Sequence, residues 1–573
     1  MMRRRSDLPP VEPQPWAALV PPGSCYARLA EPRAALVADD EYAPLYQDAR
    51  KGRPSLPPAL VVLAILLQYH DDCSDAAAEQ RVRFDVRWQH ALGLGLEDHG
   101  FDATVRCHFR RKRLAHGLER SLCHRLANAA RAAGLIATGA AQLIDSSHLL
   151  GAAGVRDSDT LIRGGSRTLL RALGHTARTR AALGERLGRD LDPAAAEQPG
   201  LGWGAATARA ACLTALVEDA RAALALAGAD TNPAATEAGA LLVRIVADAV
   251  ETGPPAGPQR RGRPRRCPPP EPPAAPGTPA GDAPRWRHGV APDRVVSVVA
   301  PEMRVGHKSQ RRTWAGDNGH ITEAPVSEVI TAVEVRHANE HDAAAAVALA
   351  TTPQAAVGLR PGALLCAGAY GTAAARADLG ALGVEVVAKL RPLADSRPFG
   401  KDEFVSALAA NDGQGSVICP AGVTTTDRRM ARDSQGRPGP RFRSPRAVCA
   451  ACPLRDRCLG GPGGRAAQPV RPPPGRQVPL HFPAAVRQQA RAAQRTPEQR
   501  RALRERLRPR AKVERTIAAL LRRHGLRRGR SIGLAQTARQ AVRTATLVNA
   551  KRLLTLVASR ADRAAALRPA LAR

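Results

Sequence analysis

The run Ala141-Gln142-Leu143-Ile144 leads into Asp145 and is the stretch that decides the fold. The run is short and mostly apolar, a pattern typical of a buried β-strand. A carboxylate at the end of such a strand either faces a cleft, where it can take part in chemistry, or caps an ordinary turn. The rest of the chain decides between these two interpretations.

Four further short runs rich in β-branched residues follow downstream, with turn residues between them: Arg294–Val299, Glu328–Val335, Ala363–Cys366 and Val384–Ala388. Between the last two, Ala373–Leu382 has the pattern of a crossover helix. Strands that alternate with a helix in this way predict a mixed α/β core.

The region before the first strand, from Tyr42 to about Ala133, has a helical pattern. Ser74 or Asp75 can cap one of its helices. Another helix, predicted from about Asp102 to His116, carries the cluster Arg110-Arg111-Lys112-Arg113. A basic helix in a compact helical domain is either a reader of DNA or the solvated face of an ordinary bundle.

Shifts in composition predict the remaining divisions. A helical stretch rich in Ala, Leu and Arg follows Asp145, and a segment dominated by Pro, Gly and Arg predicts a linker. The predicted regions are an irregular N-terminus (1–37), a helical DNA-binding domain (38–135), the first core strand (136–159), a helical insertion (160–252), a Pro/Arg-rich linker (253–290), the α/β core (291–400), a cysteine-containing insertion (401–485) and basic C-terminal helices that complete the core (486–573).

The net charge of +33 indicates a polyanionic partner, because each phosphate that an arginine neutralises releases counterions. Only seven of the 85 basic residues are lysines, and Ala, Gly and Pro are abundant. A GC-rich genome favours Arg over Lys in this way, but it does not explain the surplus of basic over acidic residues. Double-stranded DNA is therefore the predicted partner.

The chain shows no signal for export or for a membrane span. The longest apolar run in its N-terminal part, Ala59–Leu67, is too short to cross a bilayer, and no apolar segment follows the basic residues at Met1–Arg5. We expect a soluble cytoplasmic protein, associated with the nucleoid through DNA.

Four of the eleven cysteines, Cys419, Cys449, Cys452 and Cys458, lie within forty positions of each other. Four thiolates are enough for a tetrahedral structural Zn²⁺ site, and Cys-x₂-Cys is a common zinc-binding pattern. The alternatives are a cluster of reduced structural thiols and a redox pair, for which no βαβ context is visible.

Several blocks, in order from about residue 40 to 555, resemble a bacterial family of insertion-sequence DDE transposases, which have an RNase H-like catalytic core. The main blocks are Arg87–Leu94 (RWQHALGL), Leu143–Ala152 (LIDSSHLLGA), Pro301–Ser309 (PEMRVGHKS), Gly368–Gly371 (GAYG), the four-cysteine region and Val513–Leu553 with its VER, GLR and NAKRL motifs. One block alone is weak evidence, whereas the ordered set is specific.

The resemblance implies a site in which two Asp and one Glu hold two divalent ions, Mg²⁺ or Mn²⁺. One ion activates the attacking water or 3′-hydroxyl, and the other stabilises the leaving oxygen at phosphorus. Asp145 matches the first Asp and Glu514 matches the Glu. Without the resemblance, Asp145 is a turn cap and Glu514 a surface ion pair with Arg515.

The second Asp is missing. The family pattern places it immediately before Gly-Ala-Tyr-Gly, where this chain has Ala367, and a methyl group cannot coordinate a cation. Asp342 and Asp378 lie at the wrong positions to replace it without rearrangement. Glu302 is closer in kind, but the resemblance implies a Glu there in addition to the ordinary ligand. The chain also departs from the family pattern in three further residues: Ala300, Asn318 and Leu507.

The predicted function is binding of terminal inverted repeats with DNA cleavage and strand transfer, impaired in this copy by Ala367. Non-catalytic alternatives are a DNA-binding remnant or repressor and, less well supported, a zinc-stabilised structural protein associated with nucleic acid. The resemblance implies a homodimer on paired DNA ends. The predicted DNA-binding residues are Arg110, Arg111, Lys112, Arg113, Arg522, Arg523, Arg527, Arg528 and Arg530.

Overall fold

The structure is a computed structural model. It describes residues 2–5, 14–31, 33–46, 55–174, 184–185, 206–228, 232–252, 284–287, 290–291, 293–309, 311–390, 399–400, 403–407, 415–432, 438–459, 475–479, 484–494 and 496–559.

The helical pattern predicted from Tyr42 to about Ala133 is confirmed, whereas the prediction of an irregular segment 1–37 is wrong, because short helices also form there. Besides three 3₁₀ helices, the described N-terminal region contains α1 (Cys25–Ala30), α2 (Arg33–Leu36), α3 (Pro58–His70), α4 (Asp75–Phe84), α5 (Val86–Leu92), α6 (Ala103–Ala115) and α7 (Ser121–Ala132). Ser74 and Asp102 cap α4 and α6, each by accepting a backbone N–H of the first turn. The predicted basic helix is α6, and its bounds agree with the prediction to within one residue.

The first core strand, β1 (Ala141–Leu150), is longer than the predicted apolar run and continues through Ser146, Ser147 and His148. A helical insertion follows it: α8 (Ser158–Ala172), α9 (Ala206–Ala227), α10 (Pro233–Ala249) and a hairpin of β2 (Val250–Glu251) and β3 (Arg285–Trp286). The three helices share their own apolar cluster, which includes Leu161 and Leu242. Residues 253–283 of the predicted linker lie outside the described residues.

Five more strands complete one mixed sheet: β4 (Arg304–Ser309), β5 (Arg312–Glu323), β6 (Ile330–His337), β7 (Ala363–Cys366) and β8 (Glu385–Val387). The strand order is β6–β5–β1–β7–β8, and β4 pairs with the first part of β5. Strands β5 and β6 are antiparallel to their neighbours, whereas β1, β7 and β8 run parallel. This RNase H-like arrangement confirms the predicted fold class.

Two details of the sheet differ from the prediction. Residues 294–299, expected as a strand, form none; Val295 packs against the helical insertion instead. Conversely, β4 and β5 were not predicted. Strand β5 carries Asp317, Asn318 and His320, all buried, so its sequence lacks the apolar alternation of a half-buried strand.

Helices cover both faces of the sheet. On one face, α11 (Ala346–Val357) and α12 (Ala373–Ala381) bury Leu349 and Leu379 against Ile144 and Cys366. The helix α12 is the predicted crossover helix between β7 and β8. Leu143 belongs to the cluster on the opposite face, because successive side chains of a strand point to opposite sides.

The cysteine-containing region is a separate small lobe. It consists of β9 (Val405–Ala407), β10 (Ser416–Ile418), β11 (Thr424–Thr425), β12 (Arg428–Arg432), β13 (Pro438–Arg443), α13 (Arg446–Ala450), α14 (Arg455–Leu459) and β14 (Gln477–Pro479). Its apolar cluster is small: Phe404, Val417, Phe442 and Val478 are its buried members.

The C-terminal region is helical: α15 (Ala484–Ala492), α16 (Pro497–Leu507), a 3₁₀ turn (Arg508–Arg510), α17 (Ala511–Arg523) and α18 (Leu534–Ser559). Val513, Leu520 and Leu521 of α17 pack on the face of the sheet that contains Leu143. Helix α18 contacts β6, α7 and α3, so it joins the core to the N-terminal helices. No helix in the described part of the chain is long and apolar enough to cross a membrane.

Candidate active site

Asp145 lies in the middle of β1 at the point where the neighbouring strand β7 stops. The parallel register ends with Ile144 opposite Cys366, and the next residue on each side is Asp145 and Ala367. The prediction that Asp145 ends its strand is therefore wrong, because β1 continues along β5 to Leu150. Strand β7 is the one that ends here, and its end leaves an open edge of the sheet beside the Asp145 carboxylate.

Ala367 begins the turn that follows β7. Its side chain is partly buried against the cluster that contains Ile144 and Tyr370, and its carbonyl accepts the N–H of Tyr370. Tyr370 is itself buried, and its hydroxyl lies 2.7 Å from Nδ1 of His320 on β5. Burial lowers the pKa of His320 to about 3, so the ring is neutral and shares one hydrogen bond with the Tyr370 hydroxyl.

Glu514 lies in the first turn of α17. Its neighbour Val513 is fully buried, whereas the Glu514 side chain is 61% exposed. The amphipathic pattern of α17 therefore fixes the helix to the sheet and leaves the carboxylate at the surface beside β1.

Arg510 joins these two carboxylates. Its Nη2 donates to Oδ2 of Asp145 at 2.8 Å, and its Nη1 donates to Oε1 of Glu514 at 3.2 Å. Burial raises the pKa of Asp145, while the Arg510 guanidinium opposes the shift and the Glu514 charge adds to it. The structure thus brings together two residues that are more than 360 positions apart in sequence, through an arginine that the sequence analysis did not single out.

A basic groove lies between the N-terminal helices and the C-terminal region. Its volume is about 760 Å³, and its lining comes from α3, α4, α6, the segment that follows α17, and α18. Five arginines line it: Arg110, Arg111, Arg530, Arg539 and Arg543. Two of the predicted DNA-binding segments, far apart in sequence, therefore meet at one surface.

The segment between α17 and α18, residues 524–533, is called the basic loop below. It is fastened to the end of β1: Leu150 N–H donates to the Arg527 carbonyl, and Gly529 N–H donates to the Leu150 carbonyl, both at 2.8 Å. At its other end Arg530 pairs with Asp72 and stacks over the ring of Tyr69. The basic loop thus connects the strand of Asp145 to the groove.

The nine predicted DNA-binding residues fall into two groups. In the first group, the guanidinium bonds to another residue of the same chain. The pairs are Arg110 with Asp75, Arg113 with the carbonyls of Leu118 and Glu119, Arg527 with His148, and Arg530 with Asp72. Arg113 is buried, so its placement on a DNA-facing surface is wrong. The second group is exposed and forms no ion pair with a carboxylate of the described chain: Arg111, Lys112, Arg522, Arg523 and Arg528.

The four cysteines line one cavity of about 480 Å³ in the small lobe. Burial raises the pKa of Cys458, and the three other thiols add to the shift, which shows that all four are near each other. Within the described ranges, however, no three His, Cys, Asp or Glu side chains are arranged to hold a metal ion.

Comparisons with known proteins agree with this architecture. A family model described as Transposase domain (DUF772) matches residues 16–112, and one described as Transposase DDE domain matches residues 418–554. The first match covers the N-terminal helices through most of α6, and the second includes Glu514, Arg510 and the basic loop. Together the two matches support an insertion-sequence DDE transposase. No curated protein and no solved structure matches it.

Transposases act on DNA, and DDE enzymes generally use a divalent metal ion. The carboxylate site of this transposase does not fit such an ion as it stands. Asp145 and Glu514 each bond the Arg510 guanidinium already, and Ala367, which stands where the family resemblance places the second Asp, carries only a methyl group. An ion that needs several oxygen ligands therefore finds two, both engaged by a cation.

The acids considered as substitutes lie elsewhere in the transposase. Glu302 accepts the Leu534 N–H at 2.6 Å and so caps α18. Asp378 lies in the second turn of α12, and Asp342 lies in a 3₁₀ helix after β6.

The three other departures from the family pattern are accommodated in the fold. Asn318 donates to the Ala338 carbonyl, Leu507 packs on the sheet cluster, and Ala300 is buried beside Met303.

The sequence contains one signal for the contact between Arg510 and Glu514, since Arg510 precedes Glu514 by one helical turn.

Proposed function

We propose that this transposase binds the terminal inverted repeats of its own element, and that Ala367 impairs the cleavage and strand transfer typical of the family. Asp145 and Glu514 are the proposed remaining metal-binding carboxylates, and Mg²⁺ or Mn²⁺ is the proposed ion. The observation that carries the proposal is the attachment of the basic loop to β1, since it joins a segment with exposed arginines to the strand that carries Asp145.

The geometry supports a continuous path for DNA. From Leu150, which bonds the basic loop, to Asp145 is five residues of β-strand, or about 17 Å. Successive phosphates of one DNA strand are spaced about 3.4 Å along the helix axis, so a duplex held by the basic loop reaches Asp145 within about five base pairs. The exposed arginines along this path contribute affinity without reading sequence.

The four-cysteine lobe supports a structural zinc site. Its apolar cluster has few members, and small lobes of this kind are commonly stabilised by a metal ion. Zinc binding requires the thiols around the cavity to move closer to a common centre. Metal analysis of the purified protein tests this: about one zinc per chain is expected, and a chain purified without zinc that unfolds no earlier than with it contradicts the site.

Two further elements of the proposal follow from the family: a homodimer that holds paired DNA ends, and a cytoplasmic, nucleoid-associated location. The mass of the protein–DNA complex, measured by light scattering, distinguishes one copy from two.

The main experiment compares the wild-type chain with A367D on a labelled duplex taken from the DNA that flanks the coding sequence. We expect both proteins to bind this duplex more tightly than a scrambled one, and only A367D to nick it in Mn²⁺. Asp145→Asn in the A367D background is the control and should abolish nicking. Nicking by the wild-type chain in Mg²⁺ contradicts the impairment, and equal affinity for the scrambled duplex contradicts recognition of the ends.

A second candidate function is a repressor or competitor that occupies the ends without cutting them. The internal pairing of both carboxylates with Arg510 favours it, because the chemistry is compromised while the basic groove is intact. Inhibition of an active copy by the wild-type chain in a transposition assay supports this function, and absence of inhibition at saturating DNA binding excludes it.

A further inference from the structure

The Arg510 guanidinium lies where a metal ion of the carboxylate site would have to bind. Its two terminal nitrogens each bond a different carboxylate, one on β1 and one on α17. The planar fork of arginine suits this bridging geometry, and arginine stays charged at any pH that the protein experiences. The side chain is only 24% exposed, which places the contact partly out of water.

The backbone around Arg510 keeps the guanidinium in place. The residue ends a 3₁₀ turn that runs directly into α17, and Glu514 follows one helical turn later. Val513 is fully buried, so the start of the helix is anchored on the sheet. The other basic residues of this turn of α17 have different partners: Lys512 donates to the Pro325 carbonyl and Arg515 pairs with Glu328. Arg510 is therefore the cation assigned to this pair of carboxylates.

We propose that Arg510 is an internal counter-cation that competes with divalent metal for Asp145 and Glu514, and that Ala367 shifts the competition in favour of the arginine. This inference rests on the proposed role of these two carboxylates. A metal ion loses one of three ligands when Asp is replaced by Ala, whereas the guanidinium loses neither of its two partners. One positive charge bridges two carboxylates well, but it would leave a third uncompensated.

The consequence is that Ala367→Asp alone restores metal binding only in part. Replacing Arg510 by a neutral residue frees both carboxylates. Replacing Arg510 and also changing Ala367 to Asp supplies three free carboxylate ligands. Arg510 is thus a residue that acts on the site through its two carboxylates, and metal affinity is the property it should control.

The test measures Mn²⁺ binding from the loss of the free-ion signal in electron paramagnetic resonance, without DNA or turnover. The proteins are the wild-type chain, R510M, A367D and the double variant A367D/R510M. We expect R510M to tighten Mn²⁺ binding by about tenfold or more in either background, since one competing ionic contact to each ligand is removed. The matched control is R506M, whose arginine pairs with the exposed Glu385 and should leave Mn²⁺ affinity unchanged.

Equal Mn²⁺ affinity with and without Arg510 in both backgrounds overturns the inference. If R510M fails to fold, R510Q is used, since it keeps a polar side chain but removes the positive charge, and it should still tighten binding. Failure of the proposed function looks different: Mn²⁺ binding by A367D/R510M would then persist after Asp145→Asn, because the ion would be bound elsewhere.

Discussion

The basic groove and the carboxylate pair differ in how their charges are compensated. Of the five arginines that line the groove, three pair with carboxylates inside the fold, whereas Arg111 and Arg539 form no ion pair in the described part of the chain. In the carboxylate pair, Asp145 and Glu514 share the cation of Arg510. The groove therefore keeps basic side chains for an anion from outside the chain, whereas the carboxylate pair is already satisfied inside it.

This difference shows why one substitution affects the two regions unequally. DNA affinity is a sum over many similar phosphate contacts, so it survives the loss of any one of them. A two-ion site depends on a few ligands that converge on one point, so under the proposed function Ala367 would remove a large share of it at once. A transposase can thus keep its DNA-binding surface after its chemistry is compromised.

The largest effect expected is on DNA binding after charge reversal in the groove. Arg111→Glu combined with Arg539→Glu should weaken binding to a mixed-sequence duplex by about 100-fold at low salt, and flatten its salt dependence, because two phosphate contacts become repulsions. Gel shifts over a salt series measure this. Asp145→Asn and Glu514→Gln are the matched controls, and they should not weaken binding. A similar loss in those controls would mean that the two regions are not separable.

Arg111 and Arg113 lie two positions apart on α6, but Arg111 is exposed and Arg113 is buried, so we expect different effects on DNA binding and on stability. Arg113→Met removes donors to the carbonyls of Leu118 and Glu119 and should lower the free energy of unfolding by about 2 to 4 kcal/mol. Arg111→Met should change it by less than about 0.5 kcal/mol but weaken DNA binding several-fold. Urea denaturation and gel shifts on both variants check this. The opposite assignment of the two effects would contradict the placement of α6.

The two regions also differ in how far the sequence predicted them. Alternation and caps located the N-terminal helices, β1, β7 and α12 well, because these elements follow local apolar patterns. Strand β5 was missed because its buried residues are polar and become satisfied only by long-range partners, as His320 is by Tyr370. The expected strand at 294–299 was wrong because its valines are buried by the helical insertion and not by strand pairing.

For the candidate site, motif order indicated Asp145, Ala367 and Glu514 but could not indicate Arg510 as their bridge. That contact joins residues 365 positions apart and exists only because α17 packs beside β1. Similarly, the sequence marked Arg110 to Arg113 as one basic cluster. In the helix, the members of this cluster point to different sides, because neighbours in sequence do not share a helix face. Arg113 faces the core, whereas Arg111 and Lys112 are exposed.

A buried carboxylate beneath α17 gives a pH-dependent prediction. Glu323 is fully buried, 3.6 Å from Arg552, which also bonds Thr516 of α17. Burial raises the pKa of Glu323 from 4.5 to about 7, although Thr516 and Arg552 oppose the shift. The folded state therefore keeps a proton that the unfolded state loses, and stability falls as pH rises from about 4.5 through 7.

Glu323→Gln should remove this penalty, so that the variant gains up to about 3 kcal/mol relative to the wild-type chain between pH 5 and pH 8. Urea denaturation at both pH values measures the gain. Stability curves that run parallel for the two proteins would contradict the assignment of this proton to Glu323.

The smallest effect expected concerns the turn that carries Ala367. Tyr370→Phe removes the hydroxyl that is hydrogen-bonded to Nδ1 of the buried His320, and an unsatisfied buried polar group costs about 1 to 2 kcal/mol. Tyr42→Phe is the matched control, since its equally buried hydroxyl lies 3.4 Å from Ser121 and forms only a weak bond. Thermal unfolding should therefore shift more for Tyr370→Phe. If the A367D chain nicks DNA, the same substitution should also reduce its nicking rate, because the turn that presents residue 367 loses its tie to β5. An unchanged nicking rate would show that the turn is held by its backbone alone.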